Sequence, residues 1–151
     1  MRPFHALRPS ALAALLVAAS GCATVPMAAP EHDLAAKRFG TQPDLANLYV
    51  YRASSFGTAV KFPVTVDGRM LGELPGATYL FVRVPPGPHT VGVVAQTDKS
   101  QAFTAEVGRN HYVKVTPVLG FLQAAANLTL MTDEKEAQED VRGCALIQVV
   151  Q

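Results

Sequence analysis

The stretch Val60-Lys61-Phe62-Pro63-Val64-Thr65-Val66-Asp67-Gly68-Arg69-Met70-Leu71-Gly72-Glu73-Leu74 decides the fold. Val60, Phe62, Val64 and Val66 alternate with Lys61, Pro63 and Thr65, the period of two that gives a strand one buried and one wet face. Asp67-Gly68 then supplies the residues a type I′ turn requires, with positive φ at both central positions, and Arg69 to Leu74 reads as the return strand. Pro63 cannot donate to a ladder, so the first strand is expected at a sheet edge or beside a bulge.

Outward from this hairpin, apolar runs recur from Asn47 onward with turn signals every 8 to 13 residues or so, the spacing of a sandwich or barrel. Leu80, Val82 and Val84 share a face, Pro85-Pro86-Gly87-Pro88 reads as a turn, and Val91, Val93 and Ala95 align beyond it. Gln101 to Val107 and His111 to Val115 read as a second hairpin around Gly108-Arg109-Asn110, with Gly108 at positive φ. Leu119 to Leu130 fits a helical turn or an apolar loop equally well. Asp133-x-x-Glu136 resembles a capping box and Gly143 a stop, so Asp133 to Arg142 is expected as a short surface helix with Ala137 and Val141 inward. Cys144 to Val150 is expected as a closing strand. The fold expected is all-β: a single antiparallel sandwich of about 7–9 strands with a short C-terminal surface helix.

The amino-terminal end is of another kind. Arg2, His5 and Arg8 precede an unbroken apolar run, Ala11 to Ala19, the charged and apolar regions of an export signal. A membrane-spanning helix needs about 20 apolar residues, so this run is too short to stay as a span. Ala19-Ser20-Gly21-Cys22 resembles the lipobox of bacterial lipoproteins, although Ala19 stands where Leu is commoner. The resemblance implies cleavage between Gly21 and Cys22, a diacylglyceryl group on the Cys22 thiol and an acylated new amino terminus. With Ala23 rather than Asp next, it implies the inner leaflet of the outer membrane, facing the periplasm. The chain divides on this reading into residues 1–21 (cleaved signal), 22–44 (lipidated terminus and Pro/Ala-rich tether) and 45–151 (the sandwich). Within the tether, Asp33 to Phe39 has the length of two helical turns, stopped by Gly40.

The full chain has a formal charge of +1; without Arg2 and Arg8 it has one acid more than its bases, so nothing steers nucleic acid. Cys22 and Cys144 are not a disulfide framework, and Cys144 is expected as a buried thiol. No serine sits in a G-x-S-x-G elbow, and no H-E-x-x-H or C-x-x-C marks a metal site. His89 and His111 fall at strand ends and read as surface residues; with Cys144 they are the material for a dyad, the least favoured reading. Tyr49, Tyr51, Tyr79, Phe81 and Tyr112 have the alternation of a shared outer face, expected to pack as cross-strand pairs rather than to bind glycan.

Asp33 to Phe39, Leu48-Tyr49-Val50-Tyr51-Arg52, Asp67-Gly68 with Leu71-Gly72, Tyr79, Pro86-Gly87-Pro88-His89, Ala105-Glu106-Val107-Gly108 and Tyr112-Val113 together resemble the family called domain of unknown function 2846. That resemblance implies a bacterial envelope lipoprotein with one β-rich domain, and brings no activity with it. The segment from the Asp-Gly hairpin to Pro86-Gly87-Pro88-His89 also resembles PEGA-type modules, whose glycines and prolines shape turns. The function expected is a non-enzymatic interaction or scaffolding module without cofactor or metal, held to the membrane through lipid on Cys22, with an envelope protein or glycan as partner. The alternatives are a carrier of a small apolar or glycan ligand, with Phe121 and Leu122 lining its cavity, and a hydrolase using His89 or His111.

Overall fold

A computed structural model describes residues 24–95, 97–119 and 124–150. The elements run α1 (Pro30–Ala36), β1 (Ala46–Arg52), β2 (Phe62–Val66), β3 (Arg69–Leu74), β4 (Thr78–Val84), β5 (Gly87–Val93), β6 (Lys99–Ala105), β7 (Asn110–Leu119), β8 (Ala124–Met131), α2 (Glu134–Arg142) and β9 (Ala145–Leu146). They form a five-stranded sheet, β8-β7-β1-β4-β9, and a four-stranded sheet, β3-β2-β5-β6. The all-β sandwich expected from the sequence is therefore present. It is not purely antiparallel, because β1 runs parallel to β7 and β4 parallel to β9. Parallel neighbours need a crossover, which the chain supplies between β1 and β7 by passing through strands of the other sheet, and ahead of β9 by α2.

The deciding hairpin forms as read. Phe62, Val64 and Val66 are buried, and Asp67 and Gly68 hold φ of 51° and 79°. Val60, 38% exposed, lies outside the strand. The bulge sits on the return strand: Val64 faces Gly72 and Thr65 faces Met70, leaving Leu71 as the extra residue, turned into the core. Strand β2 is internal rather than an edge. Pro63 is tolerated because the β2–β5 ladder starts only at Val64, and the Pro63 carbonyl still accepts the Val94 N–H at 3.0 Å.

Three expectations are corrected. Gln101–Val107 and His111–Val115 do not pair: β6 pairs with β5, whereas β7 pairs with β1 and β8. Gly108, at φ 67°, serves a corner between the sheets, closed by Arg109 N–H donating to the Glu106 carbonyl at 3.2 Å. Leu119 to Leu130 is neither helix nor loop where it is described, since Ala124 to Met131 pairs with β7 from Leu119 back to Tyr112. Its Ala and Leu content favours helix locally, and the open edge of β7 together with the core beneath Ala126, Leu128 and Leu130 overrides that preference. Of Cys144 to Val150, only Ala145 and Leu146 form a strand. Beyond them the tail crosses from one sheet to the other, Ile147 N–H donating to Tyr79 and Val150 N–H to Leu71.

The tether reading is corrected as well. Met27 bridges to Ile147, Ala28 N–H donates to the Leu146 carbonyl at 3.0 Å, and Ala36 and Phe39 are buried. Helix α1 starts at Pro30, whose missing N–H costs nothing in a first turn, and ends before Phe39 takes φ of 54°.

The sandwich has two apolar layers. Between the sheets lie Leu48, Val50, Val64, Leu74, Leu80, Val91, Val113 and their neighbours. The other layer is the outer face of the five-stranded sheet, where Tyr49, Tyr51, Tyr79 and Tyr112 meet Ala36 and Phe39 from one side and Ala137 and Val141 of α2 from the other. Helix α2 begins as read, Asp133 accepting the Glu136 N–H at 3.0 Å.

Candidate functional site

Gly21, Cys22, Phe121 and Leu122 lie outside the described residues. Cys144 is 3% exposed, and its Sγ donates to the Asp140 carbonyl at 3.3 Å. Burial, then the nearby Asp140 carboxylate, push its thiol up to about 11, so it is no nucleophile at neutral pH.

The two domain histidines are partly buried rather than on the surface, their rings flanking Phe103 at 5.8 Å (His89) and 5.3 Å (His111). His89 Nδ1 lies 2.6 Å from Asp67 Oδ2 and Nε2 lies 2.8 Å from the Pro85 carbonyl. Both partners only accept, so the doubly protonated ring satisfies both contacts. Burial opposes that charge, but the bonds to Asp67 and Pro85 outweigh it and raise the pKa of His89. His111 is the opposite case: burial lowers its pKa, and Nε2 accepts the Glu106 N–H at 3.0 Å. Each ring is thus committed to a corner of the chain. Among the described residues no cluster of His, Cys, Asp and Glu could hold a metal ion.

The tyrosines share an outer face and pack, as expected. Tyr49 lies opposite Phe81 and Tyr112, with ring centroids 4.8 and 5.1 Å away. Every hydroxyl has a partner: Tyr49 donates to the Ala36 carbonyl at 2.8 Å, Tyr51 to Asp140 at 3.1 Å and Tyr79 to Asp33 at 2.9 Å, while Tyr112 accepts from Gln138 at 3.2 Å. Burial raises all four phenols, Tyr112 to about 12, so none exchanges a proton near neutrality. The two helices cover the four tyrosines, each 1% exposed or less, and leave Phe81 only partly covered at the edge of the face.

Arg52 and Asn47 are buried polar residues whose burial the alternation of β1 does not announce. Arg52, at the end of β1, is fully buried and donates to the carbonyls of Phe56, Gly57 and Val60, with Phe62 beneath its guanidinium at 5.2 Å. Desolvation lowers its pKa, and the loop carbonyls replace the water lost from its two terminal nitrogens while the buried Nε has no partner. Asn47 donates to the Gly40 carbonyl and to Asn110, and Asn110 donates to Phe39, stitching the segment after α1 to the sheet.

A groove of about 890 Å³ opens beside α1. Its floor is Tyr49 and Phe81, its walls include Met27, Ala35 and Val149, and Arg69 and Arg83 supply the charge. Arg83 lies over Phe81, 5.4 Å from the ring centroid. No acidic side chain lines the groove among the described residues.

A family model described as "Protein of unknown function (DUF2846)" matches residues 42–127. The chain belongs to the DUF2846 family. One curated relative, from Haemophilus influenzae and described as an uncharacterized protein, is 30% identical over 119 residues, covering 77% of this chain and 70% of its own length. No solved structure matches the chain. The DUF2846 match spans β1 to the middle of β8 and so contains the groove's floor and both arginines; the α1 wall and the C-terminal wall lie outside it.

Proposed function

We propose that the protein is a lipid-anchored module of the bacterial envelope, non-enzymatic, held through Cys22 to the inner leaflet of the outer membrane and facing the periplasm. The observation that carries this reading is the apolar run Ala11 to Ala19 ending in Ala19-Ser20-Gly21-Cys22, immediately ahead of a domain whose first bridge is at Met27. Four residues, Ala23 to Pro26, separate Cys22 from that bridge, so the five steps between them span at most about 18 Å of extended chain. An acylated Cys22 would hold the sandwich against the membrane rather than on a long stalk. Two or more acyl chains suffice for stable anchoring, at about 0.8 kcal/mol per buried CH₂. The non-enzymatic part rests on the commitment of Cys144, His89, His111 and the tyrosine hydroxyls to structural bonds. Metabolic labelling with a fatty acid tests the anchor: the wild type takes label, and Cys22→Ser takes none and accumulates as precursor. Label in the variant, or none in the wild type, refutes it.

A further inference from the structure

We propose that the groove beside α1 binds an anionic phospholipid of the membrane to which the protein is anchored, the headgroup phosphate on Arg69 and Arg83 and the start of an acyl chain along Phe81, Met27 and Val149. The lipoprotein reading supplies the source of this ligand; the chemistry of the groove stands apart from it. Arg69 and Arg83 are both exposed, and neither has a carboxylate partner among the described residues. Arg38, Lys99, Lys135 and Arg142 also lack one, so what sets Arg69 and Arg83 apart is that they line one concavity together. Two guanidiniums in one apolar concavity without an acid suit an amphiphile with an anionic head. A volume of about 890 Å³ is that of a ligand site, for which about 300–1,000 Å³ is usual. Position argues the same way. Met27 and Ala28 form one wall, so on the anchor reading the groove would open within a few residues of the acylated Cys22. Without the signal, acids outnumber bases by one, so diffuse attraction of the whole domain to an anionic membrane is not the driving force.

The test uses the mature chain from Ala23, which contains every residue of both sheets and both apolar layers and lacks the lipidated cysteine. Flotation with phosphatidylglycerol vesicles is compared with phosphatidylcholine vesicles, folding being followed by circular dichroism. The wild type is expected to float with the first and not the second. Arg69→Gln with Arg83→Gln should weaken binding on the order of 30-fold, from about 1 kcal/mol for each basic side chain at a membrane surface. The control pair Lys99→Gln with Lys135→Gln, also exposed, should leave it unchanged. Met27→Glu, which puts an acid into the groove at an exposed position, should weaken it as well. No flotation with phosphatidylglycerol, equal flotation with phosphatidylcholine, or equal loss in the control pair overturns the proposal; the last would mean diffuse charge, and the first leaves an acidic protein or a second copy as occupant. Because Cys22 is absent, failed flotation with successful acyl labelling refutes the groove alone, and the converse refutes the anchor alone.

Discussion

Asp33→Ala should cost the domain about 2 to 3 kcal/mol, although the Pro- and Ala-rich composition around it suggests a tether. Asp33 Oδ1 accepts the Tyr79 hydroxyl at 2.9 Å and the Leu146 N–H at 3.2 Å, and Oδ2 takes Lys37 Nζ at 2.8 Å. Removing the carboxylate leaves the Leu146 N–H without a partner and the Tyr79 hydroxyl with only its longer contact to the residue 33 carbonyl at 3.4 Å, and a buried orphan costs about 1 to 3 kcal/mol. Asp33 is 24% exposed, so water can enter the vacated space, which places the sum toward the lower end. The Lys37 ion pair, an i,i+4 pair still partly open to solvent, adds at most about 0.5 kcal/mol. For a domain of this size each kcal/mol shifts the midpoint by roughly 3 to 5 °C, so thermal melting of the mature chain should show a drop of about 10 °C. The second arm is Tyr79→Phe, which removes the hydroxyl itself and should cost about 1 kcal/mol. In the double variant the Tyr79 orphan no longer exists, so its loss should fall short of the sum of the single losses by at least about 1 kcal/mol. A midpoint unchanged to within about 1 °C in Asp33→Ala would mean that α1 is not part of the cooperative unit; strict additivity would mean that Asp33 and Tyr79 do not interact.

Gly68→Val forces a β-branched residue to φ of 79° in open space, where an added Cβ meets nothing within 4 Å, so its cost on the order of 1 to 2 kcal/mol is purely backbone; an unchanged midpoint would show the turn to be a different one. His89 gains its proton on folding, so the stability it contributes is complete below its unfolded pKa and is lost as pH rises through the raised folded value. The paired Asp67 carboxylate, depressed first by its hydrogen bond to His89, loses its share as pH falls through its own lowered value. The stability difference between wild type and His89→Gln should therefore be largest near pH 5 to 6 and shrink by pH 9, staying under about 1 kcal/mol because Asp67 is half exposed; a difference that grows with pH would contradict it. Cys144, with its thiol pushed up to about 11, should resist a thiol reagent in the native mature chain and react promptly once unfolded; rapid native labelling would show it to be accessible.

Period and turn chemistry made the inward faces legible. Phe62, Val64 and Val66, then Leu80 and Val84, then Phe103 and Ala105 are buried where alternation places them, and Asp67-Gly68 and Asp133 perform the roles their chemistry specifies. The partner of each strand was not legible. Alternation states which side of a strand is apolar and is silent about which strand lies beside it, so β6 and β7, adjacent in sequence and both alternating, read as a hairpin while in fact closing opposite layers. Arg52 was hidden for a related reason. An Arg after the run Leu48 to Tyr51 looks like the wet end of a strand, and only the loop from Ala53 to Lys61 folding back over it turns that position into an interior one.

The groove shows the same limit at the level of a site. Its residues come from three places, Met27 to Gly40, Tyr49 to Arg83 and Leu146 to Val150, and each segment alone looks ordinary: a proline-rich lead, alternating strands, an apolar tail. They meet because β9 pairs in parallel with the start of β4, and because Met27 then adds to the far side of the tail at Ile147. A two-residue parallel ladder and a single bridge leave no periodic trace in a sequence. What the sequence does carry is the choice of side chain at the ends of the walls. On the outer face of β4, Tyr79 and Phe81 lead to Arg83, so the aromatic row runs out from under the helices and ends in a cation. That transition from a covered aromatic to an uncovered one with a guanidinium above it separates a packed face from a surface able to receive an anionic amphiphile, and it assigns the packing role to Tyr49 and Tyr79 and the recognition role to Phe81 and Arg83.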